Sequence, residues 1–436
     1  MSRQHQPPVR ETRPLRAFAI YLTGLSMALG IALLGACTGT SQEPRAPDQG
    51  QPERPTLLLI SLDGFRWDFM ELAETPSLDR LAASGVRAER LIPIFPTKTF
   101  PNHFTIVTGL YPEHHGIVAN NFYDPTFDAS FILADPKTHA QAPWWEGEPI
   151  WVTTEKQGRA AATYFWPGSE AEFEGIRPTY WKPYDHGAPY DERIDQVLAW
   201  LDSEEQVRPD FVALYLDLVD TVTHSNDPDS SPRVAEAIRT VDAVLGRLLF
   251  GLTASGQEGR VNLLVVSDHG MASTSSGRVI FLDDYLDTDK VRIVDWDPVL
   301  SIWPEPGDAD RVYETLVGAH PHLRVFRKEE IPEDWHYRDH RRIPPLLGVA
   351  DEGWSITTRP IFASNPGFFE GANHGYEPSL DSMGALFVAH GPAFKEGLVV
   401  PPIEAVDLYE LMCSILDLAP AANDGDLTRI QHVLRR

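Results

Sequence analysis

Residues 56–66 read TLLLISLDGFR, a short, almost unbroken apolar run that stops at an aspartate and a glycine. A run of this length without polar alternation marks a strand buried on both faces, as in a parallel sheet. FVALYL at 211–216 and VNLLVV at 261–266 repeat the pattern, and 385–389 is a further short run. Between them, apolar residues fall at helical spacing over 77–84, 191–201, 234–249 and 408–418, with Gly85 placed to cap the first. Strands alternating with helices predict an α/β fold, a mostly parallel sheet sandwiched by helices. Residues about 277–360 break the rhythm: they are rich in Pro, Asp, Trp and Arg, and read as an insertion that caps the site, the alternative being a second small domain of no catalytic consequence. A Trp, Tyr and Pro cluster over 141–190 adds loops around its mouth.

The chain has 436 residues, enough for two or three domains or for one large α/β domain with an insertion. With 37 basic and 63 acidic residues the formal net charge is −26. That acidity argues against a nucleic-acid groove, which needs a basic stripe. It leaves anionic substrates open, because a bound metal supplies local positive charge that the side-chain count misses. The only cysteines are Cys37 and Cys413, so a disulfide framework and a Cys-rich metal site are excluded. A metal here is held by His and carboxylates.

Residues 1–36 read as an export signal and not as part of the fold. Arg3, Arg10, Arg13 and Arg16 precede an apolar run over 17–34, which ends in Leu34-Gly35-Ala36-Cys37. The pattern resembles a bacterial lipoprotein signal and makes Cys37 the lipidated first residue of the mature chain; the alternative is a single transmembrane anchor. Residues 37–55 are polar and Pro-rich, a flexible tether before a folded domain over 56–425. Thr38-Gly39 lacks an aspartate retention signal, so the periplasmic side of the outer membrane is expected over the inner one.

Acids and histidines gather at the ends of the predicted strands. Asp63 follows the first run; Asp220 and His224 follow FVALYL in DLVDTVTH; Asp268 and His269 follow VNLLVV in SDHGM; His374 lies in GANHGYE. In open α/β sheets ligands bind beyond the carboxyl ends of the strands, so these six side chains can converge on one edge. A carboxylate and imidazole mixture suits Zn²⁺ or a similar ion. Six ligands exceed what one catalytic ion uses, whereas two ions roughly 4 Å apart use them all as a clamp for phosphoryl transfer. Gly64 and Gly270 follow two of the acids where the backbone must turn.

The segment PTKTFPNHFTIVTGLY over 96–111 places Pro101 in a first helical turn. Thr99 then sits at or just before a helix N-terminus, which favours phosphate. A threonine hydroxyl becomes a nucleophile when a metal lowers its pKa. An ordinary N-cap is the alternative for Thr99, and Thr97 competes for the nucleophile's role.

Together, PTKTFPNHFTIVTGLYPEHHGIVANNFYDP (96–125), SLDGFR, the Asp220/His224 pair, SDHGM and NHGY resemble the nucleotide pyrophosphatase/phosphodiesterase family of the alkaline phosphatase superfamily, over roughly 56–420. The resemblance implies an alkaline-phosphatase-like fold and two Zn²⁺ ions. Asp220, His224 and His374 would hold one; Asp63, Asp268, His269 and the Thr99 oxygen would hold the other. It makes Thr99 the nucleophile, carrying a covalent phosphothreonine intermediate. It assigns Asn120 to a nonbridging phosphate oxygen, Asn121 being the weaker match, with a backbone N–H near Phe100 beside it. Phe100 matches an aromatic that packs on a nucleobase, with Tyr184 and Tyr215 as partners by similar position; a buried core role is the alternative for Tyr215. Arylsulfatases of this fold need a modified cysteine where Thr99 stands. Phosphomonoesterases often place an arginine on the phosphate, and none lies near Thr99 or Asn120 in these motifs. The expectation is zinc-dependent hydrolysis of phosphodiester and pyrophosphate bonds in nucleotides, releasing nucleoside 5′-monophosphate. Its rivals are a lysophospholipid or choline-phosphate diesterase, whose substrate the same aromatics would cage by cation–π contact, and a non-catalytic ligand-binding surface lipoprotein.

Overall fold

The computed structural model describes residues 54–202 and 207–435. The expected signal, the lipidation site Cys37 and most of the expected tether lie outside the described residues. Eight strands form the central sheet: β1 (Thr56–Leu62), β2 (Val86–Ala88), β3 (Ala161–Tyr164), β4 (Tyr180–Lys182), β5 (Phe211–Leu216), β6 (Val261–Val266), β7 (Phe387–His390) and β8 (Leu398–Val400). Their spatial order is β8-β2-β7-β6-β1-β5-β3-β4. β1 runs parallel to both β5 and β6, with Leu57 opposite Phe211 and Asn262. β7 is the exception, antiparallel to β6 and to β2.

The apolar run of β1 is continuous because both of its faces are covered. Leu57 and Leu59 join one core, with residues of helices α2 (Thr99–Thr108) and α6 (Leu408–Leu416). Leu58, Ile60 and Leu62 point the other way, into a core closed by α1 (Pro76–Ser84), α3 (Tyr190–Asp202) and α5 (Pro232–Ala254). Each of these fully buried leucines contributes about 2 kcal/mol of burial free energy. The short helix α4 (Leu218–Thr223) follows β5. Gly85 ends α1 as expected, but at φ −137° it is not a left-handed cap. Its hydrogen is needed instead for packing: a Cβ there would sit 2.1 Å from the Ala389 carbonyl oxygen of β7.

Within the expected insertion, strands Val291–Ile293, Val299–Pro304, Leu346–Ala350 and Leu323–Arg327 form a separate antiparallel sheet in that spatial order. It has its own core, in which Leu300, Ile302 and Leu346 pack with Val312 and Leu316 of the helix Ala309–Leu316.

Candidate active site

Asp63 leaves the carboxyl end of β1, Asp220 and His224 lie on and just after α4 beyond β5, and Asp268 and His269 follow β6. The order β5-β1-β6 makes these ends neighbours. Backbone bonds fix the spacing: Asp63 N–H donates to Leu216 O (3.0 Å) and Asp220 N–H to Asp63 O (3.1 Å). Gly64 has φ +66°, and a Cβ on it would lie 2.9 Å from Asp220 Cα, so only glycine lets the two acids approach. Gly270 lies at no positive φ; a Cβ there would meet the Ser382 carbonyl oxygen at 2.2 Å, so close packing and not a turn demands it.

Two clusters result. In the first, His224 Nε2 is 3.3 Å and His374 Nε2 3.8 Å from Asp220 Oδ1. In the second, His269 Nε2 is 3.0 Å from Asp268 Oδ2 and 3.6 Å from Asp63 Oδ1. The rings of His269 and His374 stack with centroids 3.6 Å apart. Each imidazole is oriented through its other nitrogen. Nδ1 of His224, His269 and His374 lies 3.2, 3.0 and 2.8 Å from the carbonyls of Ala372, Gly270 and Thr97. That places the proton on Nδ1 and turns the Nε2 lone pair inward, the arrangement metal-ligating histidines use.

These groups fit divalent cations. Asp63 Oδ1, Asp220 Oδ1 and Asp268 Oδ2 are buried and have no hydrogen-bond partner. Three such oxygens facing one another are costly unless a positive charge joins them. Burial, then the neighbouring Asp268 and Asp220, push the Asp63 carboxyl well above the ordinary range. Against burial, His269 and His103 hold Asp268 well below it, and His224, His374 and His269 hold Asp220 at about 2. Burial with His269 alongside pushes His374 well below its ordinary value. Against burial, Asp220 raises His224 to about 8.

Thr99 is the first residue of α2, and its Oγ1 lies 3.4 Å from His269 Nε2. It makes no cap bond; the residue before it, Lys98, gives its Nζ to Asp295 Oδ2 (2.6 Å) and to Asp297 O (3.0 Å). Thr97 is fully buried and occupied, donating to Tyr376 O and accepting from Gly375 N–H. Asn120 Oδ1 accepts the Phe100 N–H at 2.9 Å. The backbone donor expected to face phosphate is therefore taken by Asn120, whose amide is held by its oxygen with Nδ2 as its remaining donor. Asn121 is turned elsewhere, its Oδ1 accepting Leu133 N–H.

Asp63, Thr99, Phe100, Tyr184, Tyr215 and Asp220 line one cavity of about 240 Å³. Its outer wall comes from segments within 133–184, and no described lining residue falls in 277–360. Residues 277–360 instead contact neighbours of the site residues, through Asp295, which accepts from Lys98 Nζ, and through Asp297 Oδ2, which accepts Asn373 Nδ2 at 2.8 Å. Phe100 is fixed against Trp145, with ring centroids 6.0 Å apart. Tyr184 is 46% exposed and has ring surface to offer. Tyr215 is buried, and its hydroxyl donates to Asp63 Oδ2, leaving Oδ1 for the cluster. Its closest tie is therefore to a carboxylate and not to a stacked ligand. His103 went unnoticed in the sequence: fully buried, it stands between Ser61 Oγ and Thr99 O, each at 2.8 Å, and lies 3.3 Å from Asp268 Oδ2. Among the described lining residues there is no lysine or arginine, while Asp63, Glu170, Asp217 and Asp220 are acids. An anion enters such a cavity only if metal supplies the opposing charge.

A parallel sheet that gathers these ligands at its carboxyl edge defines an alkaline-phosphatase-like, metal-dependent enzyme. Residues 57–377 match the family model described as Type I phosphodiesterase / nucleotide pyrophosphatase, and the chain belongs to that nucleotide pyrophosphatase/phosphodiesterase family. It is 38% identical over 384 residues to ectonucleotide pyrophosphatase/phosphodiesterase family member 5 of Homo sapiens, covering 88% of this chain and 79% of the relative. It is likewise 38% identical over 395 residues to the bis(5'-adenosyl)-triphosphatase of Xenopus laevis, covering 89% and 84%. Among solved structures, murine ectonucleotide pyrophosphatase / phosphodiesterase 5, inactive and in complex with AMP, superposes with a TM-score of 0.83 at 37% identity, covering 87% of this chain and all of that one. No helix among the described residues is long and apolar enough to cross a membrane.

Proposed function

We propose that the chain hydrolyses phosphodiester and pyrophosphate bonds of nucleotides and related diesters, releasing nucleoside 5′-monophosphate through a phosphothreonine ester on Thr99. The observation that carries this reading is Thr99 Oγ1 at a helix N-terminus, beside paired acid–histidine clusters, in a cavity whose described lining has no lysine or arginine. Asp220, His224 and His374 would hold one Zn²⁺; Asp63, Asp268, His269 and the Thr99 oxygen would hold the second. Bound there, such ions lower the pKa of a hydroxyl and neutralise charge that develops on phosphate oxygens.

The chain's own groups then do the rest. Thr99 Oγ1 gives its proton to solvent and bonds to phosphorus as the bond to the leaving oxygen breaks, and the leaving oxygen takes a proton from solvent. Water later attacks the same phosphorus and releases Thr99 with its hydroxyl restored. The N-terminal end of α2 and the Asn120 Nδ2 offset charge on the nonbridging oxygens. A neutral amide in that role suits a diester, which carries less charge than a monoester. Phe100 and Tyr184 offer aromatic surface to a base, Tyr215 lines the same cavity, and the AMP in the murine relative supports a nucleotide substrate. We infer as well that residues 1–36 export the chain, that Cys37 anchors it by lipid on the periplasmic side of the outer membrane, and that 277–360 is an insertion in one domain over 56–425. The name of the human relative, an ectonucleotide pyrophosphatase/phosphodiesterase, supports a site outside the cytosol.

The test is turnover of a nitrophenyl ester of thymidine 5′-phosphate against glycerophosphocholine, with metal content measured in parallel. The nucleoside ester should be the better substrate, with two zinc ions per chain. Preference for glycerophosphocholine, or turnover insensitive to chelator, contradicts the reading.

A further inference from the structure

Asp217 is spent on neither metal cluster, yet it is 4% exposed and lines the same cavity. It directly follows β5, three positions before Asp220. Four side chains converge on its carboxylate, all from the segment that follows β4. Arg193 Nη1 donates to Oδ1 at 3.0 Å and Tyr190 Oη to the same oxygen at 3.2 Å. His186 Nδ1 lies 2.8 Å and Tyr184 Oη 3.4 Å from Oδ2. Arg193 is itself fully buried, and its other bonds go to the Tyr215 and Ala188 carbonyls. A buried carboxylate with every acceptor position filled by donors from one segment fixes that segment. The segment's one half-exposed aromatic on the cavity is Tyr184, whose ring meets Phe165 and Tyr215 in edge contacts (centroids 5.3 and 6.3 Å) and the His186 ring at 6.5 Å, and whose hydroxyl lies 3.2 Å from His186 Nδ1.

We propose that Asp217 is a positioning residue for substrate selectivity: it latches the 184–193 segment to the end of β5 and so sets the Tyr184 ring at a fixed distance from the metal-binding end of the cavity. The inference rests on the nucleotide reading above. One carboxylate thereby couples the part of the site that takes the base to the part that takes the phosphate. Substituting the latch costs base recognition while leaving phosphate recognition alone.

Equilibrium binding to the zinc-loaded full chain tests this without turnover, using AMP and, as a probe lacking the base, ribose 5-phosphate. Asp217→Asn removes the charge and one acceptor. It should raise the Kd for AMP about tenfold, the worth of one aromatic contact, and change that for ribose 5-phosphate by less than about twofold. Tyr184→Ala should do the same, and the double variant should lose no more than either single one, because latch and ring act as a unit. Equal weakening for both probes, or losses that add fully in the double variant, would overturn the proposal. Should Asp217→Asn not fold, His186→Ala and Tyr190→Phe each remove one arm and should shift AMP binding alone. If the wild type binds AMP but hydrolyses no nucleotide ester, the functional reading fails while the latch is still judged by these affinities. Wild type with equal affinity for the two probes overturns the latch.

Discussion

In the proposed mechanism Thr99 carries the chemistry, and Asp63 carries the tie between chemistry and scaffold. Replacing Thr99 with Ala should lower turnover by roughly 10³-fold or more with zinc content unchanged; near wild-type turnover in that variant would remove Thr99 from its role. The Tyr215 hydroxyl holds one Asp63 oxygen and leaves the other for the cation. Tyr215→Phe should therefore weaken zinc retention about tenfold in competition with a chelator, the usual effect of losing a group that orients a ligand. Unchanged retention would show that packing alone orients Asp63. At this scale the convergence of Asp63, Asp220, Asp268 and His269 was legible because each stands shortly after an apolar run, whereas His374 in GANHGYE follows none. Tyr215 was not, since nothing in FVALYL tells a core tyrosine from one whose hydroxyl reaches a carboxylate on the next strand. His103 left a usable signal: it stands four residues after Thr99 on a predicted helix, hence on the same face.

Turns between elements set how closely the acids approach. Gly64→Ala puts a side chain at φ +66° and a Cβ 2.9 Å from Asp220 Cα, so Asp63 and Asp220 must separate. Gly158→Ala meets the same kind of backbone strain at φ +72° with nothing within 4 Å. The second change should cost only about 1 kcal/mol of stability, read from denaturant midpoints, and leave activity intact. The first should cost more and should weaken zinc binding. Equal effects on stability and no effect on zinc would mean that the close approach at Gly64 is not needed. Strands β1, β5 and β6 were readable to the residue because burial on both faces erases alternation. The antiparallel course of β7 was not, since direction is set by connection and pairing and leaves no mark on a short apolar run. Gly85 and Gly270 were recognised as special, but the reason, a carbonyl from a distant segment against each, is visible only in three dimensions.

At the scale of the whole molecule, charged struts bind the segment 277–360 to the rest. Buried Asp124, on the strand Asn121–Asp124, accepts from Arg342 Nε at 2.6 Å and Arg341 Nε at 3.1 Å. Against burial, these arginines hold its carboxyl at about 2, below the ordinary 3.8. A depressed carboxyl stabilises the fold above its unfolded pKa, and that contribution fades as pH falls through the folded one. Asp124→Asn should thus be less stable than wild type by roughly 2 kcal/mol at pH 7, and the gap should close between about pH 4 and pH 2. A gap independent of pH would mean that the pair contributes through shape and not charge. The break in the βα rhythm over 277–360 was legible, but the four short antiparallel strands within it were not, because their apolar residues are few and interrupted by Pro and charged side chains.

The account rests on two displacements at phosphorus, the first by Thr99 and the second by water. Each inverts configuration, so a substrate with a chiral phosphorothioate diester, hydrolysed in isotopically labelled water, should give product with net retention. Net inversion would mean a single direct attack by water, and Thr99 could not then be the nucleophile.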